Sequence, residues 1–267
     1  METSSARPLA LVTGASSGIG LELARQFAQN GFDLVLAAED DELTEAARRV
    51  KSSGATVEAV QVDLATSDGV DELWRRVSED SRPLAAAALN AGVGAGGAFT
   101  DIDLDDELRL IDLNVRSTVH LAKHVVRHMV GRNEGRILFT SSIGATQPGS
   151  FHAVYNASKS FVQSFALALR EELKDTQVTV TSLMPGPTDT EFFERADLED
   201  TRVGASESKD DPEDVARQGF EAMMNGEEQI VAGSLTTKLM GRSGRFVPDS
   251  VKAAMHRKMA EPGSAKK

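Results

Sequence analysis

A tyrosine and a lysine stand four residues apart at Tyr155 and Lys159, and Ser142 lies thirteen residues before the tyrosine. On a helix spanning 150–174, that spacing stacks the two side chains on one face. A phenol is a poor acid–base group at neutral pH, because its unperturbed pKa is about 10. A fixed ammonium nearby favours the phenolate and lowers that value, whereas burial acts in the opposite direction. A serine hydroxyl can hold a reacting oxygen beside the phenol. The three could then exchange a proton with a carbonyl or an alcohol while a redox cofactor exchanges hydride. The plainer reading is one exposed helical tyrosine beside one solvated lysine, so the surrounding elements have to decide.

Those elements alternate. Leu9–Thr13 reads as a short buried strand that runs into the glycine-rich turn Thr13–Gly20, and Leu21–Asn30 follows with apolar residues at helical spacing, stopped by Gly31. A strand, a glycine-rich turn and a helix present free backbone N–H groups to a phosphate. Further strands are expected at Asp33–Ala38, Thr56–Val62, Leu84–Leu89, Arg136–Thr140, Val178–Leu183 and Gln229–Val231. Helices are expected at Glu42–Ser53, Asp68–Glu79, Asp103–Met129, 150–174 and Asp211–Met224. In the long helix 103–129, Leu104, Leu108, Ile111, Val115, Val119, Ala122 and Val126 form one apolar stripe. Such repetition predicts an α/β fold, a doubly wound parallel β-sheet of the Rossmann type in three layers. A single domain covers 1–267, with its core at about 8–232 and a C-terminal extension at 233–267. Ligands of such sheets bind beyond the carboxyl ends of the strands, and the Gly-rich turn, Asn90–Gly92, Ser142 and Pro185-Gly186 all fall there.

Composition narrows the function classes. The chain has 267 residues, no cysteine and a formal charge of −12. That charge argues against general nucleic-acid affinity, and the missing cysteine removes disulfides and thiolate metal sites and suits a cytoplasmic protein. Met1–Pro8 is too short and polar for a secretory signal, and no apolar run is long enough to span a membrane.

On these residues the sequence resembles the short-chain dehydrogenase/reductase family from about Pro8 to Val231. The turn TGxxxGIG is present at Thr13–Gly20, Asn-Ala-Gly at Asn90–Gly92, and PGxxxT at Pro185–Thr190; Leu89 departs from the pattern, since many members carry another asparagine there. Asn114, Ser142, Tyr155 and Lys159 match the catalytic tetrad in order. The resemblance implies that Tyr155 is the proton donor in reduction and the base in oxidation, and that Ser142 polarises the substrate oxygen. It implies that Lys159 binds the nicotinamide ribose and depresses the Tyr155 pKa, and that Asn114 keeps a water in a proton relay. It places the dinucleotide against Gly14, Ser16, Ser17, Gly18, Ile19 and Gly20, then Glu39, then Asp63 and Leu64. Asn90, Ala91, Gly92, Tyr155, Lys159, Pro185, Gly186, Thr188 and Thr190 complete the expected contacts.

NADP carries a 2′-phosphate that proteins usually meet with arginine or lysine. The positions where the family places such cations hold Ser17 and Glu39, followed by Asp40, Asp41 and Glu42. One like-charge contact at about 4 Å costs roughly 1 kcal/mol even at water-like dielectric, near tenfold in affinity. Although Ala38 stands where NAD-using members commonly carry aspartate, NAD is favoured over NADP.

His120, His124 and His128 recur at four-residue steps, a spacing that could place imidazoles on a metal. No carboxylate or thiolate within the helix completes a site, so a solvated or interface-facing stripe is the reading and no metal is expected. From Gly233 onward there are eight Lys/Arg against two Asp/Glu, a basic tail expected to lie over acidic surface of its own fold rather than on a membrane. Residues 188–211 read as an acidic, irregular substrate lid with Phe192 and Phe193 as its aromatics. A homodimer or homotetramer through the helices at 103–129 and 150–174 is expected from Val154, Ala157, Phe161, Phe165 and Ala168. Two functions remain open: an oxidoreductase acting on a small or medium, apolar carbonyl or alcohol, and a nucleotide-sensing regulatory module that retains the fold.

Overall fold

The protein is described here by a computed structural model covering residues 7–243 and 247–266; of the polar lead at Met1–Pro8, the first six residues lie outside the described ones. Seven strands form one parallel sheet in the order β3-β2-β1-β4-β5-β6-β7. They are β1 (Leu9–Thr13), β2 (Asp33–Ala38), β3 (Val57–Gln61), β4 (Leu84–Leu89), β5 (Gly135–Thr140), β6 (Val178–Pro185) and β7 (Gln229–Ala232). The chain winds outward from β1 to β3, then returns to build β4 to β7 on the other side of β1. The sheet therefore opens a crevice at the carboxyl ends of β1 and β4.

Alternation along the strands explains why their sequences are apolar throughout. In β1, Ala10 and Val12 face one core and Leu9 and Leu11 the other, as the two-residue period of a strand requires. The first core is closed by α1 (Gly18–Gln29), α2 (Glu42–Lys51) and α8 (Pro212–Met224); the second by α3 (Ser67–Glu79), α5 (Thr118–Arg132) and α6 (Ala153–Glu172). This is the expected three-layer arrangement.

The long helix expected at 103–129 is not uniform. It consists of α4 (Leu104–Ile111), one π turn at Asp112–Ser117, and α5. Ser117 Oγ donates to the Leu113 carbonyl at 2.7 Å and Thr118 Oγ1 to the Asn114 carbonyl at 2.9 Å, giving carbonyls of the widened turn a partner. The helix is apolar on two adjoining faces. The sheet takes the one bearing Leu110, Leu113, Leu121, Val125 and Met129, while Leu104, Leu108 and Ile111 of the expected stripe stay exposed.

Residues 188–211 are less irregular than expected. A short helix, α7 (Phe192–Arg195), forms within them, and Phe193, Ala196 and Leu198 pack into a small core of their own. Beyond β7 the extension forms α9 (Leu235–Ser243) and α10 (Asp249–Ala260).

Candidate active site

A cleft of about 470 Å³ follows the carboxyl ends of the sheet. Every residue expected from the sequence to touch cofactor or substrate lines it except Asn114, which sits behind the wall. The glycine-rich turn builds one end. Gly14 and Gly18 have φ of +63° and +53°, and a Cβ on Gly20 would stand 1.9 Å from the Gly14 carbonyl oxygen, so backbone alone fits there. At the start of α1, Ser17 makes no side-chain cap and the first turn holds no acidic residue. By contrast α3, α4 and α8 are each capped by a side chain, from Thr66, Asp103 and Asp211 respectively. The uncapped N–H groups and the Cβ-free approach fit a pyrophosphate.

Asn90 ties three strand ends together. Its Nδ2 donates to the Thr13 carbonyl at 3.2 Å, and its Oδ1 accepts from Thr140 Oγ1 at 2.9 Å; Thr13 Oγ1 in turn accepts from the N–H groups of Asn90 and Ala91, each at 3.0 Å. The 90–92 backbone, with Gly92 at its end, is thereby pressed against the cleft.

The four residues read as a tetrad converge. Tyr155 and Lys159 lie one turn apart on α6, with the ammonium 5.9 Å from the ring centre. Lys159 Nζ donates to the Thr140 carbonyl at 3.0 Å, and Ser141 Oγ donates to the Lys159 carbonyl at 3.0 Å, so the end of β5 and α6 hold each other in register. Ser142 Oγ accepts from the Gly144 N–H at 3.0 Å and lines the cleft together with Tyr155. Asn114 is buried in the π turn. Its Oδ1 accepts from the Val93 N–H at 2.9 Å, and its Nδ2 donates to the Val93 carbonyl at 2.9 Å and to Ser158 Oγ at 3.0 Å. The side chain expected to hold a water therefore braces the loop after β4 against α6, with both amide protons used.

Electrostatics inside the site differ from the simple expectation. Burial pushes the Tyr155 phenol up to about 12, the Ser142 hydrogen bond acting the other way. Burial also pulls Lys159 down to about 8. Desolvation thus outweighs the attraction between ammonium and phenolate on which the expected depression rested.

The acidic end after β2 also holds a surprise. Two guanidiniums that sequence proximity did not reveal are brought to it. Arg109 of α4 bonds Glu39 and reaches Asp63 Oδ2 at 3.0 Å. Arg195 of α7 meets Glu191 at 2.6 Å, Glu42 at 3.2 Å and Asp40 at 3.8 Å. Neither stands at a position where the family places its cations; both arrive across 70 and more than 150 positions of chain. Asp63, expected against the dinucleotide, is engaged by Arg109 and by the Ala65 N–H at 2.9 Å; burial opposes its ionisation, but these bonds prevail and hold its carboxyl below the usual range. Leu64 is buried beside it. Ser16 Oγ donates to Asp40 at 2.9 Å. Thr188 Oγ1 donates to the Gly186 carbonyl at 2.9 Å, and the Thr190 methyl lies 3.0 Å from where a Gly18 Cβ would be.

The opposite end of the cleft is apolar and was largely invisible in the sequence. Phe192 sits 5.2 Å from the Tyr155 ring, whereas Phe193 anchors the segment. Val93, Ile143, Val203, Met255 and Met259 also line this region. His152, just before α6, packs edge-on to Tyr155 at 5.8 Å and to His256 of α10 at 5.5 Å. It is buried, its Nε2 meets no partner among the described residues, and burial, followed by His256, pulls its pKa to about 4. The tail packs in part on the acidic segment 188–211, where the Gly263 N–H donates to Asp200 at 2.8 Å. Ser150 Oγ donates to the Ala253 carbonyl and Val203 N–H to the Met259 carbonyl, so α10 forms a wall of the cleft. Its apolar Met255 and Met259, not its basic residues, carried that signal.

Comparison with known proteins is decisive for kinship. The short chain dehydrogenase family model matches residues 8–200. The chain belongs to the short chain dehydrogenase family. It is 33% identical over 217 residues to an uncharacterised oxidoreductase of Staphylococcus saprophyticus, spanning 80% of this chain and 90% of that protein. A short-chain dehydrogenase from Sphingobium yanoikuyae, solved in complex with NADPH, is similar at 31% identity with a TM-score of 0.77, covering 83% of this chain and 86% of that one. A family member from Burkholderia phymatum, solved in complex with NAD, is 26% identical with a TM-score of 0.76, covering 84% and 88%. As a family member the protein is an oxidoreductase. Among the described residues no helix is long and apolar enough to cross a membrane.

Proposed function

We propose that the protein interconverts a carbonyl and an alcohol on a small or medium, predominantly apolar substrate, with Tyr155 as the acid–base residue. The observation that carries this is the gathering of Ser142, Tyr155 and Lys159 on the wall of one cleft with an apolar end, the ammonium 5.9 Å from the centre of the Tyr155 ring. A nicotinamide ring supplies or accepts hydride when bound. The chain's own residues do the rest. Ser142 holds the substrate oxygen, Tyr155 gives its proton to that oxygen in reduction and takes it back in oxidation, and Phe192 with the α10 wall excludes water. A phenol held up near 12 is fully protonated at neutral pH, the state a proton donor needs. Lys159, drawn down to about 8, can still carry a proton at neutral pH and is placed to pass it inward.

NAD is the proposed cofactor. Arg109 and Arg195 are already committed to Glu39, Asp63, Asp40, Glu42 and Glu191, so a 2′-phosphate would meet carboxylates in excess of guanidiniums. We further infer a homo-oligomer, since Leu104, Leu108, Ile111 and Phe161 expose an apolar surface on α4 and α6, and a cytoplasmic location, which a chain without cysteine suits. A panel of apolar ketones, aldehydes and alcohols with both cofactors, followed by reduced-nicotinamide absorbance, tests the reading. Absence of turnover across the panel, with cofactor binding intact, would favour a nucleotide-sensing role instead.

A further inference from the structure

Between α3 and α5, away from the cleft, the histidine stripe divides. His128 Nε2 accepts from the Leu84 N–H at 3.2 Å, and burial lowers its pKa, so it is a neutral structural group. The other two meet a carboxylate that the helix itself could not supply. His120 Nε2 lies 3.0 Å and His124 Nε2 3.5 Å from the same oxygen, Asp71 Oδ1 of α3. One ligand atom from each of the three residues falls within a 4.8 Å span. Trp74, one turn after Asp71, stacks on the His124 ring at 5.3 Å and 16°.

We propose that Asp71, His120 and His124 bind a divalent transition ion of the zinc, nickel or copper class, bridging α3 to α5. Imidazoles four residues apart on one helix offer two nitrogen donors from adjacent turns, and a facing carboxylate adds an oxygen. A tetrahedral ion with bonds of about 2 Å needs its ligands roughly 3.3 Å apart. The side chains are exposed by 29% and 32% for the histidines and 60% for the aspartate, which leaves room for that small contraction. Two nitrogens and one oxygen select borderline metals over magnesium or calcium. Water would complete the coordination. Trp74 fixes the His124 ring as a packed neighbour does in second-sphere support.

The chain has one tryptophan, so its fluorescence reports this place alone. Nickel or copper added to tag-free protein quenches it through an open shell when held beside the ring. The expected result is saturable quenching at one ion per chain, reversed by zinc, with H120Q/H124Q at least about tenfold weaker. Turnover in that variant stays at the wild-type level, because the cluster lies outside the cleft. Nickel should also raise the melting temperature of the wild type and not that of Asp71→Asn, since an ion bound only to the folded state stabilises it. Non-saturating quenching, or equal quenching and equal melting shifts in both variants, would overturn the proposal and leave a plain histidine–aspartate ion pair.

Discussion

Lys159 points its ammonium at the Thr140 carbonyl, 3.0 Å away, while standing 5.9 Å from the centre of the Tyr155 ring. The lysine is thus tied to the strand end rather than to the phenol. Both groups respond mainly to burial, which raises one and lowers the other towards their neutral forms.

Tyrosine ionisation checks this directly, because Tyr155 is the only tyrosine in the chain. In the folded, ligand-free protein the phenol should ionise near 12, and in denaturant near 10. A raised value means that its stabilising contribution is complete below about pH 10 and is lost as pH rises from there towards 12. Ser142→Ala should raise the value further, since the serine's bond lowers it. Ultraviolet difference titration reads all three, and a folded-state value at or below 10 would show that the ammonium prevails.

Lys159 runs with the opposite sign. Its folded value of about 8 lies below the unperturbed value of about 10.4. Stability from this group should therefore rise as pH climbs from 8 to about 10, and be lost as pH falls through 8. Lys159→Met should flatten that part of the denaturant-unfolding profile. It should also reduce turnover by roughly 10²-fold or more, if the lysine assists proton exchange.

His152 predicts acid sensitivity. With its pKa at about 4 in the fold and about 6.5 when unfolded, protonation favours the unfolded chain. The contribution is complete above pH 6.5 and declines as pH falls towards 4. Chemical denaturation of His152→Phe against wild type over that interval should show a shallower loss. Parallel curves would remove His152 as the cause.

Cofactor choice should respond to Glu39. Glu39→Arg removes one carboxylate and adds a cation, and should shift the NADPH-to-NADH affinity ratio by about tenfold or more. Titration of both reduced cofactors by fluorescence measures it. Tighter binding of NADPH by the unaltered protein would refute the proposed preference.

The proposed subunit contact is tested by charge. Leu108→Glu combined with Phe161→Glu places carboxylates on the exposed apolar face of α4 and α6. Light scattering should report a shift towards the 28.5 kDa chain, with the fold retained. A monomer already in the wild type would dispose of the interface.

Much of this was legible because strands buried on both faces spell continuous apolar runs, and Leu9–Thr13 or Asp33–Ala38 need no tertiary context to be recognised. The ligand-facing glycines were legible for the same local reason. The π turn at Asp112–Ser117 was not, since Asn114 earns its place only through Val93 and Ser158, both far off in sequence. Arg109 and Arg195 escaped likewise: an arginine on a polar helix face carries no mark of which distant carboxylate it will meet. Asp71 escaped for the same reason, and with it the third corner of the histidine cluster.

Residues 200–203 are laced to the stretch that runs from the end of α10 to Ala265. Asp200 accepts from the N–H groups of Gly263 and Ala265, Arg202 N–H donates to Ser264 Oγ, and Val203 N–H to Met259. These two stretches have to be inherited as a pair. A chimera that grafts 188–211 from a relative without 249–266 should fold yet lose grip on substrate. Grafting both together should carry over the donor's preferences onto an unchanged proton-transfer apparatus.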